Sequence, residues 1–446
     1  MMHLLKRLSM IMLFLGITGI MFGQGSTTSA MNGRILDETG QALPGATVVA
    51  VHVPSGTQYG VVTNNGGFFT ILGMRPGGPY KVEVSFVGYE KASWDDVMLS
   101  LGESFVINAS LTEARAQLGE VVVVGSKPPV FNSEKNGASI NIRNEQIIAM
   151  PTISRSINDI TRLTPQANGN QIGGGNYRQN FITVDGAQFN NAFGIGTNLP
   201  GNGTPISLDA LDQISVNITP YDVRQSGFIG ASVNAVTKSG DNEFRASVYA
   251  FMQNERYKGT QVGDATFARS PSSYNMQGMR LGGPIIKNKL FFFMNYEREK
   301  SEIPGPPRVA STPSTPPNYT NNIARPTVAQ MDLISAYLKE TYGFETGPYQ
   351  GYAFESPGQK FLARIDWNIA QNHKFNVRYS LMESKEPSNP STSFSPFSSL
   401  YTGRRTDMDA MWFQNSGYFQ ERNFYSPSSE LNSYFGGGRF ANTLRF

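Results

Sequence analysis

From residue 243 onward, apolar and polar positions alternate with a period of two. In "EFRASVYAFMQN", Phe244, Ala246, Val248, Ala250 and Met252 share one face, and Arg245, Ser247 and Gln253 the other. "KFLARIDWNI" sets Phe361, Ala363, Ile365, Trp367 and Ile369 against Arg364, Asp366 and Asn368. "KFNVRYSLM" sets Phe375, Val377, Tyr379 and Leu381 against Asn376, Arg378 and Ser380, with Lys374 on the polar side. "KLFFFMNYERE" is a more apolar strand whose aromatic cluster suits a membrane interface. Each stretch predicts a β-strand with one apolar and one polar face. A soluble sandwich alternates in the same way, so the connections decide. Strands near 273–283 and 288–300 are joined by the short "PIIKN", and those near 358–370 and 373–385 by a few residues around Asn372. The connections 256–272, 301–357 and 386–424 are long. Short and long connections alternate strictly, the pattern of periplasmic turns and extracellular loops in an outer-membrane barrel. The first strand then runs outward, 301–357 lies outside the cell and Asn372 inside.

The chain before this region reads differently. Residues 31–113 alternate and turn like a small all-β unit of six or seven strands, with turns at Glu38 to Gln41 and at Asn64-Asn65-Gly66-Gly67, a cluster that tolerates positive φ. Residues 136–240 mix elements. "TISRSINDITRLTP" predicts a short helix with Ile153, Ile157 and Ile160 on one face and Pro165 as its stop. "NFITVDGAQF" is a strand entering an Asp-Gly turn, "ISLDALDQISVNITP" a helical turn running into a strand, and "SGFIGASVNAVTKSG" a strand-rich close. Inside the loop 301–357, Thr327 and Gln330 form a capping box for a helix with Met331, Ile334 and Leu338 on its apolar face, expected to pack within the loop.

Between these units lies 114–135, which contains "EVVVVGSKPPVFNSEK". Four consecutive valines make neither an amphipathic helix nor a half-wet strand. A continuous β-branched run is normally a strand buried on both faces, yet Pro128 and Pro129 follow in open linker composition. Two readings fit: a last strand of a neighbouring domain, or a strand held out for a partner to pair with.

Composition narrows the setting. The 446 residues include 46 Gly, 26 Pro and 11% aromatics, the profile of many turns and strands. The formal charge of +3 gives no basic field for nucleic acid. A basic n-region, an apolar stretch from Leu8 to Phe22 and small residues after it predict a cleaved signal peptide over 1–23, the stretch being shorter than a spanning helix needs. Cysteine is absent, which excludes disulfides, thiolate metal sites and a lipidated N-terminus. The three histidines, His3, His52 and His373, are too few for a zinc site, and His52 reads as a strand residue. No phosphate-cradling loop, nucleophile elbow or HExxH motif is present, so neither a catalytic site nor a cofactor or metal site is assigned and no enzyme is predicted.

Three stretches resemble known families. "GRILDETGQALPGATV", "TNNGGFF" and "VSFVGYE" resemble the carboxypeptidase regulatory-like domain, a non-catalytic sandwich; this implies a periplasmic spacer or docking module. Asn64 stands where that family more often has Asp, so no ion site is expected there. Asp159 to Pro165, Val184-Asp185-Gly186 and "GASVNAVTKSG" (Gly230 to Gly240) resemble the plug domain of TonB-dependent outer-membrane receptors. "LGGPIIKNKLFFFMNYE" and "NSGYFQERN", with the order sandwich, plug, barrel, look like the Oar-like branch of that family.

The resulting expectation is a mainly β chain: signal peptide 1–23, β-sandwich 31–113, linker 114–135, mixed α/β plug 136–240, and over 243–446 the first strands of an incomplete transmembrane antiparallel barrel. An eight-stranded barrel is filled by its own side chains and a plugged lumen calls for about 22 strands, so the chain reads as the N-terminal part of a longer protein. By the resemblance, Glu120, Val121, Val122, Val123 and Val124 occupy the place of the TonB box. That implies a receptor for energised uptake of an unidentified extracellular ligand, with the TonB energy-transducing complex and outer-membrane lipid as partners and a surface lipoprotein as a further candidate. The alternative is an adhesin or assembly protein using the same barrel without energised transport. Arg245, Arg364, Asp366, Lys374 and Arg378 point into the lumen with both signs and so name no ligand charge. The loop aromatics Phe394, Phe397, Tyr401, Trp412, Phe413 and Tyr418 are expected to pack the loop.

Overall fold

The computed structural model describes residues 26–114, 139–150, 152, 155–168, 171–174, 179–189, 205–218, 228, 230–266, 272–318, 320–388, 390, 411–436 and 440–446. The signal-peptide stretch and Glu120 to Val124 lie outside them.

Seven strands form the N-terminal sandwich: β1 (Ser29–Asp37), β2 (Thr47–His52), β3 (Thr57–Val62), β4 (Phe68–Met74), β5 (Gly77–Ser85), β6 (Ala92–Leu99) and β7 (Ser104–Leu111). One sheet has the order β4-β1-β7, with β1 and β7 parallel, and the other β3-β2-β5-β6. The β3–β4 turn is the predicted Asn-Asn-Gly-Gly cluster. Asn64 Oδ1 accepts from Gly66 N at 2.9 Å and Phe68 N at 3.0 Å, while Gly67 takes φ 77°. Alternate residues of both sheets point inward, and Met31, Ile35, Val48, Tyr80, Val82 and Leu99 are buried in a core made wholly of sandwich residues. His52 lies at the end of β2 as expected, buried, with Nδ1 2.7 Å from Ser55 Oγ.

The plug is a five-stranded mixed sheet. In chain order it comprises β8 (Ser139–Arg143), β9 (Phe181–Val184), β10 (Ala187–Gln188), β11 (Leu211–Asn217) and β12 (Ser232–Thr237). The spatial order is β10-β9-β12-β11-β8, with β9 and β12 parallel. Helices α1 (Asn144–Ala149) and α2 (Ile157–Thr161) accompany it. Ser156 caps α2, its hydroxyl accepting from Asn158 N at 3.2 Å, so this helix is shorter than the apolar stripe suggested.

The remaining strands form one antiparallel meander: β13 (Arg245–Asn254), β14 (Ser273–Ile286), β15 (Leu290–Pro304), β16 (Ala353–Ala370), β17 (His373–Ser388), β18 (Phe424–Phe435) and β19 (Phe440–Arg445). The sheet is not closed; β13 and β19 are its edges. The outward set is apolar and exposed, for example Val248 at 85% and Met252 at 75%. Ile365, Trp367 and Ile369 continue the band on β16, as the alternation predicts. Strands β15, β16 and β17 have 15, 18 and 16 residues, longer than the roughly 9–11 that cross a bilayer. They therefore rise past the membrane into the long connections. Residues Lys385–Ser388 pair with a short strand, Tyr418–Glu421, inside what the sequence reading took for irregular loop. Likewise Val309–Ser311, within the long connection 301–357, pairs with Ile323–Thr327. The capped helix is present as α3 (Val328–Tyr342), with Thr327 Oγ1 accepting from Gln330 N at 3.2 Å. Met331 is buried but Ile334 is not, so only part of the predicted stripe packs.

Candidate functional site: the plug against the barrel wall

The inward face of the meander meets the plug. The contact is partly apolar: Phe293 of β15 and Leu362 of β16 belong to the plug's own core, together with Ile157, Ile160, Ile214 and Val233. Phe189, just after β10, packs on Phe424 with centroids 4.2 Å apart and the rings tilted by 34°. The rest of the contact is charged and buried, in three groups.

The first group is organised by the Asp-Gly turn between β9 and β10. Asp185 and Gly186 have φ 50° and 83°, a two-residue reversal with both residues at positive φ. This aims the Asp185 carboxylate at the wall. It accepts from Thr237 N at 3.0 Å and Thr237 Oγ1 at 2.6 Å, and lies 3.0 Å from an Arg378 nitrogen and 3.7 Å from Arg364. Burial opposes ionisation of Asp185; Arg378 and Arg364, with the Thr237 hydrogen bonds, outweigh it and hold the carboxyl below its ordinary range. Arg364 also forks onto Asp366 through two 2.8 Å bonds and donates to Thr237 O at 3.0 Å. Arg378 stands 3.8 Å from Glu430.

The second group surrounds a single turn of 3₁₀ helix, Leu208–Ala210. Asp209 accepts from Ser247 of β13 at 3.1 Å and lies 3.3 Å from Arg280 of β14 and 3.9 Å from Lys238. Burial, and then the charge of Arg280, lower the Lys238 ammonium to about 8.

The third group was not anticipated. Glu297 and Glu299 point inward from β15, and Lys360 of β16 bridges them at 2.9 and 3.3 Å. Ser207 of the plug donates to Glu297 at 2.8 Å, and Tyr249 donates to the same carboxylate at 2.6 Å. Arg155 lies over the rings of Tyr249 and Phe251, at 5.3 and 4.2 Å. The signal was present in "FFFMNYERE": the same odd-numbered set that buries Phe291 and Phe293 also buries Glu297 and Glu299.

The other sequence-predicted residues distribute as follows. Arg364, Asp366 and Arg378 meet at the plug. Arg245 stays largely exposed beside Asp241 and Glu243. Lys374 lies 5.5 Å over the Tyr59 ring of the sandwich instead of facing the plug. Phe413 is buried against Tyr349 with centroids 5.9 Å apart, and Trp412 sits under Arg308, so both pack the loop as expected. Tyr418 is 59% exposed and does not. Phe394, Phe397 and Tyr401, like Glu120 to Val124, lie outside the described residues. Among the described residues no group of His, Asp or Glu side chains is placed to hold a metal.

Comparison with known proteins places these units. Residues 30–112 match the family model described as carboxypeptidase regulatory-like domain, and 236–445 the one described as outer membrane beta barrel domain. The TonB-dependent transporter Oar of Myxococcus xanthus is 27% identical over 301 residues, covering 62% of this chain and 27% of the relative. This chain thus spans about a quarter of that relative's length. Solved structures that are similar include the outer membrane transporter YddB from Escherichia coli (TM-score 0.46, 12% identity, 69% of this chain and 38% of that one). The ferric enterobactin receptor PfeA from Pseudomonas aeruginosa gives TM-score 0.43 and 14% identity, with 69% and 40% covered. The barrel domain assigns the chain to the outer membrane, with the sandwich on the periplasmic side. The chain is a homologue of the TonB-dependent transporter Oar, carrying a carboxypeptidase regulatory-like domain ahead of an outer membrane β-barrel domain.

Proposed function

We propose that the protein is a TonB-dependent receptor that takes up an extracellular ligand through a plugged barrel, and that Glu120 to Val124 is the segment the TonB complex engages. The observation that carries this reading is the manner in which the plug is held. Its contact with the wall combines a limited apolar patch with ion pairs, a buried one of Asp185 with Arg378, and partly buried ones of Asp185 with Arg364 and Asp209 with Arg280. A purely structural filler would be cheaper to build from apolar packing, because buried ion pairs recover little beyond their desolvation cost. Ion pairs do suit a body that must separate from the wall and rehydrate. The relative's name supplies the energy source. The valine run supplies the chemistry for strand addition: backbone hydrogen bonds give affinity, and β-branched side chains hold the extended form. No observation favours the adhesin reading.

The test uses the full-length protein in its membrane. Val122→Ile keeps the extended preference and the donors, and should leave capture by a purified TonB C-terminal domain unchanged. Val122→Pro removes a donor and blocks pairing, and should abolish capture at normal surface abundance. Undiminished capture of the proline variant would refute the assignment. Reduced abundance would mean instead that the run is a structural strand.

A further inference from the structure

The sandwich does not hang free below the barrel. Its loops on the barrel side are seated on the rim formed by the short turns, and they touch plug and wall at once. On the plug side, Gln213 of β11 is buried and pairs with the sandwich backbone in both directions. Its amide nitrogen donates to Leu99 O at 3.1 Å, and its amide oxygen accepts from Leu101 N at 2.9 Å. Ser139, the first residue of β8, donates to Glu103 at 2.9 Å. On the wall side, Asn242 N donates to Pro54 O at 2.9 Å and Asn368 donates to Thr57 Oγ1 at 2.9 Å. Tyr434 OH donates to Gly73 O at 3.0 Å, and Thr27 Oγ1 donates to Glu430 at 2.8 Å. Gly56 fits so closely against the β14–β15 turn that a Cβ there would stand 3.4 Å from the Asn288 Cβ.

Two features set this contact apart from the one between plug and wall. Its polar contacts are hydrogen bonds and a cation–π contact, and the sandwich core contains no plug or barrel residue. A domain with its own closed core, docked through polar groups, can leave as a rigid body with each group passing to water, at little net cost per bond. The docked domain also spans both partners of the joint that must open for transport. Plug and wall cannot move apart while both remain bonded to one rigid body.

We propose that the sandwich is a releasable clamp: docked, it ties the plug to the barrel rim and holds the lumen shut, and it must undock before the plug can shift. This rests on the uptake reading above but is tested without TonB or ligand. Full-length protein is reconstituted in planar lipid bilayers, and the urea concentration at which channels open is recorded. The native chain has no cysteine, so Gly56→Cys with Asn288→Cys offers one disulfide, at a Cβ separation that suits the bond. The oxidised double variant should open at a urea concentration about 1 M higher than its reduced form, denaturant acting in proportion to the surface exposed. Adding Gln213→Ala, which removes two of the plug-side bonds and leaves Ser139 on Glu103, should reduce that difference. Equal opening of the oxidised and reduced forms overturns the proposal. So does an oxidation shift that survives Gln213→Ala undiminished, because the effect would then act on the barrel alone. Residues 56 and 288 both take positive φ, so a short bismaleimide crosslink is scored beside the disulfide; absence of both shows that the domains are not docked in the membrane, and overturns it equally. Loss of TonB capture by Val122→Pro is scored separately, so either reading can fall without the other.

Discussion

The sandwich and the plug are both small β-rich units, and they solve the problem of a core in opposite ways. The sandwich buries apolar side chains of its own two sheets against each other. The plug completes its core with Phe293 and Leu362 borrowed from the wall, and then adds buried charges whose partners also belong to the wall. The first arrangement makes stability local to the domain. The second makes it a property of the pair, so the plug is held firmly only while it sits in the barrel. That division follows from placement: the sandwich can close a core between its own two sheets, whereas the plug lies against the inner face of the wall and shares both apolar and charged partners with it.

The largest expected effect tests the shared half of this contrast. Asp185→Ala leaves Arg364 and Arg378 without their plug carboxylate. Removing one partner of a buried pair costs about 3–5 kcal/mol, and because Arg364 keeps Asp366 and Arg378 keeps Glu430, the loss should fall at the lower end. Hydrogen exchange over Phe181–Val184 and Ser232–Thr237 should accelerate, while exchange in Thr47–His52 of the sandwich stays as it was. Acceleration in both domains together would mean that they form one cooperative unit.

The converse change acts on the sandwich alone. Gly33 lies on β1 between two neighbouring strands, and a Cβ there would fall 1.7 Å from Ile107 O of β7. The obstacle is backbone, so no side chain can yield. Gly33→Ala should cost about 3 kcal/mol, the upper end for overpacking, and lower the thermal midpoint of residues 26–114 expressed separately. Plug exchange in the full-length protein should be unaffected. A normal midpoint would show that β1 and β7 part easily, and that the sandwich is less self-contained than its core implies.

The same contrast explains what the sequence reveals. The barrel strands could be read from period-two alternation because lipid on one side and lumen on the other impose it residue by residue; Val248, Met252 and Ile365 point outward where the pattern put them. The sandwich was readable for a similar reason, through alternation and an Asn-Asn-Gly-Gly turn whose conformation is set locally. The plug–wall contact was only half legible. The inward positions of Arg364 and Arg378 follow from parity, but their pairing with Asp185 depends on a contact across more than 170 residues of chain, which no local pattern encodes. The charge triad of Glu297, Glu299 and Lys360 was hidden for another reason: in isolation a Glu on a strand reads as solvated, and only the covering plug makes it buried. Docking of the sandwich on the rim was illegible for the same cause, being built from backbone groups and common polar side chains such as Gln213 and Asn368.

The smallest effect sharpens the local half of the comparison through pH. His52 is the sandwich's one histidine, and burial, followed by the charge of Arg75, lowers its pKa to about 2. In the unfolded chain the ordinary value near 6.5 applies. The unfolded state therefore binds a proton that the folded state refuses, and the sandwich loses stability as pH falls below about 6.5, progressively toward the folded value. At pH 5 the deficit relative to neutral pH is about 2 kcal/mol, at 1.36 kcal/mol per pH unit over the interval. Above pH 7.5 the residue is neutral in both states and contributes no slope. His52→Asn, which can keep a hydrogen bond to Ser55, should flatten the acid limb of the sandwich's stability curve in the full-length protein without raising stability at pH 8. Chemical denaturation at pH 8, 6.5 and 5 reads this directly. If the variant and the native sandwich lose stability in parallel between pH 6.5 and 5, His52 is not the group that senses acid, and the core around β2 is wetter than its buried side chains indicate.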